Sequence, residues 1–470
     1  MIRTATEGTI PPGSLIAFRI LFGGALFVAS VRFVARGWVD ELYAAPPFRF
    51  HYPFFAWVPE PSREGLNALF AVMAVAALGV AAGALYRVCA AALFVSFTWL
   101  ELLDVSTYLN HYYLLSLLSL LLVFMPLGSA GSVDAWLFPK RRRARLPAWC
   151  LNLLRFQVGC VYVFAGLAKL DADWLLHAQP LTIWLPGRSG LPVVGPLLET
   201  QLAAYLASWA GALFDLSVVP LLLLRRTRAL AYTAVVAFHL VTGVLFPIGM
   251  FPWVMMISAT LFFSPRWPAR GARALGLPRL RGFLSGFGRT ALQPAGRGAL
   301  PRWGRALLAV WLLVQVGLPL RFVLYPGNTR WTEEGFRFAW RVMLIEKTGL
   351  VLYDVTEPST GRRWTVSPRE ELTPLQVKAL STQPDLILQY AQVLARRYEA
   401  ELGSPVEVRA DAWASMNGRP AQRLIDPAVD LARQHDGFAP KRWILPLQTQ
   451  TKTPTSAATA PAAAPCPPRG

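Results

Sequence analysis

Seven ionisable side chains interrupt stretches that are otherwise apolar, and they are the first candidates for chemistry. A charge inside an apolar helix is costly, so such a residue usually faces the interior of a helix bundle or a cavity. The alternative is that these groups pair with one another and fix helix packing, or that the arginines extend to the membrane surface. The residues are Arg19, Glu101, Asp104, Arg155, Lys169, Asp215 and His239.

Lys169 is the clearest candidate for a catalytic group because it directly follows the apolar run 161–168. Desolvation disfavours an ammonium ion, so a lysine buried at this position is expected to lose its proton readily. The neutral amine could then serve as a general base. Considered alone, however, Lys169 is better explained as a lysine at a helix end whose ammonium group reaches the headgroup region.

The composition indicates the environment that must position these groups. Hydrophobic residues make up 54% of the 470 residues and charged residues 16%, whereas an average soluble domain has about 25% charged residues. Disorder and collagen-like structure are excluded because the apolar content is too high. The net charge of +19 would suggest nucleic acid in a soluble protein. In an apolar chain it first indicates basic cytoplasmic loops, so we expect no nucleic-acid partner.

The sequence offers no evident metal site. Four cysteines are too few for a disulfide scaffold, and none has the spacing of a zinc ligand set. Cys89, Cys150 and Cys160 lie in or beside apolar runs, where cysteine behaves as a small hydrophobic residue. We therefore expect chemistry that needs no metal.

Hydropathy divides the first two thirds of the chain into about nine segments that are long enough, or nearly so, to cross a bilayer as helices. The segment 251–263 is short and could be tilted or re-entrant. Arg19 and Arg32 interrupt the first segment, so it is predicted to be an uncleaved span. The nine segments are 15–35, 66–86, 88–109, 112–127, 151–170, 202–224, 229–248, 251–263 and 303–322.

The positions of the basic residues predict an orientation. They cluster between spans four and five, six and seven, and eight and nine (the loop 265–302), with Arg87 between spans two and three. With nine spans and a cytoplasmic N-terminus, all four places fall on the cytoplasmic side of the cell (inner) membrane, as the positive-inside rule requires. The polar residues that then lie at similar depths toward the outer side are Asp104, Asn110, His111, Lys169, Asp171 and His239.

This common depth allows two interpretations. The six residues could line one cavity in the outer leaflet, or they could be interfacial anchors that happen to share a depth. The fold class predicted here is an α-helical integral membrane bundle of about nine transmembrane helices with a small C-terminal α+β domain outside the membrane.

The C-terminal part has a mixed composition that predicts a folded periplasmic domain over 324–447, after a membrane domain over 1–323. Segments 350–356 and 363–367 flank a Pro-Ser-Thr-Gly turn and predict a β-hairpin. Residues 384–401 predict an amphipathic helix. Segments 406–416 and 419–425 flank Asn417-Gly418, which predicts a second hairpin. The Ala/Pro/Thr-rich segment 448–470 is predicted to be a disordered tail.

Five motifs, in order and with matching spacing, resemble the vitamin K-dependent γ-glutamyl carboxylases. The resemblance covers about residues 14–268, whose counterpart is also called the horizontally transferred transmembrane (HTTM) domain, and extends more weakly into 331–341. The chain is thus similar to a bacterial member of that family. The motifs are Asn110-His111-Tyr112-Tyr113-Leu114 after Asp104, the segment 164–174 around Lys169, Phe214-Asp215-Leu216-Ser217, Phe238-His239, and the segment 245–251.

The resemblance implies an activity and a set of roles. A lysine amine deprotonates a reduced naphthoquinone (menaquinol or phylloquinol), oxygen adds, and the resulting strong base removes a γ-proton from a peptide or protein glutamate. The carbanion captures carbon dioxide, and the quinone leaves as its epoxide. Lys169 matches the base and His111 a histidine that assists at the intermediate. Asn110, His239, Asp104 and Asp171 are the expected substrate- or cofactor-binding residues.

Two other functions stay open at this level. One is quinol epoxidation or oxidation without carboxylation, because the C-terminal region is much shorter than in mammalian members and the family's inter-domain cysteine pair has no evident match. The other is a non-enzymatic transporter or scaffold. Transporters tend to have internal repeats and broken helices, and the sequence shows no such symmetry.

Overall fold

The computed structural model describes residues 8–285 and 299–448. An apolar helix occurs at each of the nine positions that hydropathy predicts. The helices are α1 (Gly13–Ala35), α2 (Arg63–Ala82), α3 (Tyr86–Leu103), α4 (Asn110–Phe124), α5 (Ala148–Ala168), α6 (Gln201–Leu223), α7 (Arg228–Leu245), α8 (Phe251–Ala259) and α9 (Arg302–Leu320).

Seven of these helices are long and apolar enough to cross a membrane. The other two, α4 with 15 residues and α8 with nine, fall short of the about 20 residues that span a bilayer. The protein is therefore a multi-pass membrane protein with seven candidate spans among the described residues. The predicted count of nine is not confirmed, because an apolar window does not show where a helix begins and ends.

The helices pack in sequence order, with α1 against α2, α2 against α3 and α3 against α4, while α5 packs against α6. The contact between α1 and α2 is close because Gly23 has no side chain. A Cβ at this position would lie 2.6 Å from the carbonyl oxygen of Ala77. The helix α2 begins at Ser62, whose side chain accepts a hydrogen bond from the Gly65 amide, and ends at Gly83 with a φ of 69°.

Two arginines, Arg19 buried and Arg155 half-buried, satisfy carbonyl groups where the chain leaves a helix. Arg19 is fully buried, and its guanidinium donates to the carbonyl oxygens of Leu127 at 2.8 Å and Gly131 at 2.5 Å. Arg155 donates from Nε to the carbonyl oxygen of Leu261 at 2.8 Å. Such carbonyls lack partners within their own helix. Arg19 is thus not paired with a described acid and is not extended to the protein surface, so neither expected alternative describes it.

Shorter elements join the long helices. Strands β1 (Thr9–Ile10) and β2 (Leu146–Pro147) pair in antiparallel fashion and hold the segment before α1 against the start of α5. Short helices occupy Val133–Leu137, Ala172–His177, Leu181–Trp184, Gly195–Leu198, Trp267–Ala274, Pro278–Leu284 and Thr329–Thr332.

The C-terminal region forms an antiparallel sheet with the strand order β4-β3-β5-β6 and two helices. Both predicted hairpins and the predicted amphipathic helix are confirmed, although the last strand is shorter than predicted. The predicted tail lies outside the described residues except for Gln448, as do residues 286–298 of the basic loop. The elements are β3 (Lys347–Thr356), β4 (Arg363–Val366), α10 (Pro374–Leu380), α11 (Pro384–Leu402), β5 (Glu407–Met416) and β6 (Gln422–Arg423).

The C-terminal region shares a hydrophobic core with loops of the helical part. Phe50 and Val105, from the loops before α2 and after α3, are buried in the same cluster as Trp331 and Leu386. The Gln389 side chain adds two hydrogen bonds to the backbone of His51. The sheet therefore lies directly on the ends of the helices that carry the polar residues.

Candidate active site

Two cavities adjoin inside the helical part, beneath the C-terminal region. The one with a volume of about 410 Å³ contains Asn110 and His111 and is called the His111 cavity. The other, of about 320 Å³, contains Lys169 and is called the Lys169 cavity. Four residues line both cavities and form their common wall. They are Ile248, from the loop before α8, Phe251, the first residue of α8, and Val342 and Met343, from the segment before β3.

Lys169 is the residue immediately after α5, and it is 5% exposed. Its Nζ donates a hydrogen bond to Oδ2 of Asp215 on α6 at 2.7 Å. The same Nζ lies 5.2 Å from the centre of the Trp174 ring, a distance suited to a cation–π contact. The lysine thus points into the bundle rather than toward the headgroup region.

A glycine in α5 lets this helix and α6 approach closely enough for the Lys169–Asp215 pair to form. Gly166 lies one turn before the end of α5, and a Cβ there would be 3.0 Å from the backbone nitrogen of Leu216. Both side chains of the Lys169–Asp215 pair are 7% exposed. Since water is nearly excluded, the two groups depend on each other for charge neutrality.

His239 lies on α7 in the wall of the Lys169 cavity and is 1% exposed. Its Nε2 is 3.0 Å from the hydroxyl oxygen of Tyr162 on α5. Its Nδ1 is buried and has no hydrogen-bond partner among the described residues. A buried polar atom without a partner is costly, so this atom is a candidate contact for a bound molecule.

Asn110 and His111 begin α4 in the wall of the neighbouring cavity. The Asn110 amide accepts a hydrogen bond from the Tyr108 hydroxyl at 3.1 Å and donates one to the Arg341 carbonyl oxygen at 3.3 Å. The His111 ring contacts the rings of Tyr112 and Phe251, at 4.7 and 5.8 Å between centres. It makes no hydrogen bond to any other described residue, so its nitrogens are available to a ligand.

Phe251 connects the two cavities. Its ring centre lies 5.8 Å from that of His111 on one side and 5.8 Å from that of His239 on the other. Met343, from the C-terminal region, lines both cavities with a φ of 55°. The structure therefore brings Lys169 and His239 together in one cavity and Asn110 and His111 in the next, rather than all four in one.

The structure places Asp104 and Asp171 away from this arrangement. Neither is among the described residues that line the two cavities. Asp104 accepts hydrogen bonds from the Gln376 side chain at 2.9 Å and the Ser106 amide at 2.8 Å. Asp171 caps the short helix Ala172–His177 and forms an ion pair with Arg330. Both carboxylates connect the helical part to the C-terminal region.

Sequence reasoning left out several residues of the site. The sequence marks Asp215 as an ionisable group within a span but does not identify it as the partner of Lys169. Its opposite charge in the next long helix was the signal that could have suggested the pair. Tyr162 and Phe251 carried no comparable signal, because an aromatic residue in an apolar helix is usually part of a core.

The fold and the site together define a class of protein. It is a multi-pass membrane protein with a buried lysine–carboxylate pair at an apolar cavity, covered by a small α+β region. Among the described residues, no group of three or more His, Cys, Asp or Glu side chains is arranged to hold a metal ion.

Two family models match the chain. Residues 8–267 match the HTTM domain, and residues 301–450 match the vitamin K-dependent gamma-carboxylase, lumenal domain. The chain therefore belongs to the vitamin K-dependent γ-glutamyl carboxylase family. No solved structure matches it.

Proposed function

We propose that this protein is a membrane enzyme that couples oxygenation of a naphthohydroquinone to carboxylation of a peptide glutamate. The observation that carries the proposal is the buried Lys169–Asp215 pair beside a cavity that adjoins His111 and Asn110. The family adds that reduced vitamin K, oxygen and carbon dioxide are the expected co-substrates. Either menaquinol or phylloquinol satisfies this chemistry.

The residues present suit such a quinol. A flat aromatic diol needs apolar walls and hydrogen-bonding groups at its edges, and the Lys169 cavity is lined largely by apolar side chains from α5, α6 and α7. The unpartnered Nδ1 of His239 and the free ring of His111 offer polar contacts in the two cavities. When bound, the quinol supplies with oxygen the strong base that glutamate deprotonation requires.

Lys169 is proposed to accept the proton of a quinol hydroxyl. The Nζ of Lys169 donates a hydrogen bond to Asp215 at 2.7 Å, so the carboxylate is placed to take up a proton of the ammonium group. With that proton on Asp215, the Lys169 amine is neutral and able to act as a general base. Asp215 is then a positioning residue, because it orients the amine, and the charge of the ammonium formed by proton transfer is balanced by the quinolate.

His111 and Asn110 are proposed to act from the opposite side of the wall formed with Phe251. The hydrogen bonds of Asn110 to Tyr108 and to the backbone of Arg341 fix its amide at the start of α4. His111 has no such partner among the described residues and can hydrogen-bond a reacting oxygen. Phe251 and Met343 would exclude water, which a carbanion requires.

The proposal includes nine membrane crossings in the inner membrane, with the N-terminus in the cytoplasm. The short helices α4 and α8 would complete the count, since α4 is mostly buried within the bundle and needs to match less of the lipid thickness. With α4 and α8 both crossing, all four basic clusters fall on one side. Domain boundaries at 323 and 447 would then place the C-terminal domain outside, on the side from which a peptide glutamate approaches.

The protein in lipid nanodiscs tests this proposal with menaquinol, oxygen, labelled bicarbonate and a glutamyl peptide. Quinol epoxide and carboxylated peptide are measured separately by mass spectrometry, with each co-substrate omitted in turn. We expect both products, and neither without oxygen. Epoxide without labelled peptide would overturn the carboxylase assignment and leave an epoxidase. Neither product from folded protein would favour a transporter or scaffold.

A further inference from the structure

A third cavity, called the interfacial cavity, lies on the other side of the end of α5 from the Lys169 pair. It has a volume of about 770 Å³ and is enclosed by the ends of α5 and α9 and by the segment 325–341. It shares no lining residue with the Lys169 cavity. The interfacial cavity therefore has its own environment and plays no part in the proposed quinol chemistry.

One half of the interfacial cavity is apolar and faces away from the protein. Leu170, just after α5, is 54% exposed, and Val323, just after α9, is 71% exposed. Leu167 and Leu320 line the same wall. Large apolar side chains exposed at the ends of membrane-spanning helices contact lipid rather than water. The cavity is thus open to acyl chains at the boundary of the membrane.

The other half of the interfacial cavity is cationic. Arg330 is 5% exposed and pairs with Asp171, but its Nε is buried without a hydrogen-bond partner among the described residues. The Arg341 guanidinium lies 4.3 Å from the centre of the Phe322 ring. It forms no ion pair or hydrogen bond with another described side chain. Two arginines against one aspartate leave one net positive charge in the cavity wall.

We propose that the interfacial cavity binds the headgroup phosphate of an anionic phospholipid, with the acyl chains against Leu167, Leu320 and Val323. An arginine that is partly removed from water and lacks an anionic partner is costly, and a phosphate offers it charge-assisted hydrogen bonds. A free anion fits the cavity less well than a phospholipid, because an anion alone would leave the apolar wall in contact with water.

A phospholipid bound in the interfacial cavity would stabilise the last turn of α5, which precedes Lys169. Arg330 donates from Nη2 to the carbonyl oxygen of Ala168 at 3.4 Å, and Ala168 is the residue before Lys169. The bound headgroup would therefore fix the guanidinium that contacts the last turn of α5. We expect stabilisation of the folded protein by anionic lipid, since a ligand that binds only the folded state raises its stability.

The test measures lipid binding to the full-length protein in detergent by native mass spectrometry, together with the thermal unfolding midpoint. Phosphatidylglycerol, phosphatidylcholine and inorganic phosphate are added separately. We expect phosphatidylglycerol to bind most tightly and to raise the midpoint. Arg341→Gln is expected to weaken its affinity about fivefold, from the loss of one cation at the membrane surface.

Arg362→Gln is the matched control, because Arg362 also lies over an aromatic ring, that of Trp364 at 5.3 Å, but belongs to the turn between β3 and β4, outside the interfacial cavity. Its lipid affinity should equal that of the wild type. Equal affinities for both lipids, or an unchanged affinity in Arg341→Gln, would overturn the proposal. The same shift from inorganic phosphate alone would instead assign a free-anion site and also overturn it.

A second measurement needs no variant and covers the case in which Arg341→Gln does not fold. A photoactivatable phosphatidylglycerol is crosslinked to the wild-type protein, and the modified peptides are identified by mass spectrometry. We expect adducts within 164–171 and 319–325, the two sides of the interfacial cavity. Adducts confined to other helices would contradict the assignment.

Discussion

The two adjoining cavities differ in how their polar groups are partnered. In the Lys169 cavity, the amine is fixed by Asp215 at 2.7 Å and both side chains are nearly excluded from water. In the His111 cavity, the histidine ring contacts the rings of Tyr112 and Phe251 and makes no hydrogen bond to another described residue. Under the proposed function, Lys169 would serve both folding and chemistry, whereas His111 would serve chemistry alone.

The largest expected effect is a loss of activity in a Lys169 variant that keeps the positive charge but cannot act as a base. Lys169→Arg keeps a cation for Asp215, but a guanidinium is not deprotonated in proteins and cannot act as the base. We expect epoxide formation to fall about 1,000-fold, within the range that general-base catalysis contributes. The thermal unfolding midpoint should change little. Retained activity in Lys169→Arg would show that the amine is not the base.

The next effect concerns folding and tests the pairing itself. Lys169→Met or Asp215→Leu alone leaves one buried charge without its partner, which typically costs about 3–5 kcal/mol. Removing both charges together in Lys169→Met/Asp215→Leu should restore most of that loss. The thermal unfolding midpoints of the two single variants and the double variant measure this coupling. Additive losses would mean that the two groups do not depend on each other.

In the His111 cavity, we expect a substitution to lower activity without lowering the stability of the folded protein. His111→Phe retains a ring against Phe251 but removes the nitrogens, so we expect epoxide formation to fall about 100-fold with an unchanged unfolding midpoint. His177→Phe is the control, because His177 is exposed and lies in neither cavity. A large loss of stability in His111→Phe would remove the distinction between the two cavities.

A smaller effect is expected from the ion pair that joins the short helix after Lys169 to the C-terminal region. Arg419 donates to Asp173 at 2.5 Å, and Asn417 donates to it at 3.0 Å. Burial alone would raise the pKa of Asp173, but these hydrogen bonds and the charge of Arg419 outweigh burial and hold the pKa below its ordinary value. Arg419→Met should therefore cost about 1.5–3 kcal/mol at neutral pH.

The sign of the pH dependence follows from that lowered pKa. The contribution of Asp173 is fully present above its unfolded pKa of about 3.9 and is lost as the pH falls through the lower folded value. The midpoints of the wild type and Arg419→Met should therefore converge below about pH 4. Arg409→Met, which removes an exposed partner of Glu407, is the control and should show little difference at any pH. A constant difference down to pH 2 would contradict the role of Asp173.

The sequence predicts much of the framework because hydropathy and turn chemistry act locally. All nine apolar helices and both hairpins occur where the pattern places them. The third predicted span, 88–109, is longer than the helix found there, because α3 ends at Leu103. The chain then turns at Asp104, whose side chain accepts a hydrogen bond from the Ser106 amide. The apolar residues beyond that turn look like a continuing span when only their hydropathy is considered.

The details of the site depend on contacts between distant helices and could not be predicted in the same way. Lys169 and Asp215 are 46 residues apart, and only the relative rotation of α5 and α6 brings them together. Arg19 and Arg155 bond to backbone carbonyls, which every segment of the chain contains. Asp104 and Asp171 lie near the recognised motifs, but nearness in sequence does not fix the direction of a side chain.

The central claim is that Lys169 and Asp215 form the base of a quinol-oxygenating site. The most direct test is the rate of quinol epoxide formation by the wild type and by Lys169→Met/Asp215→Leu in the same nanodiscs, with unfolding midpoints to confirm that both are folded. We predict that the wild type forms epoxide and that the folded double variant forms almost none. Equal rates in the two proteins would contradict the claim.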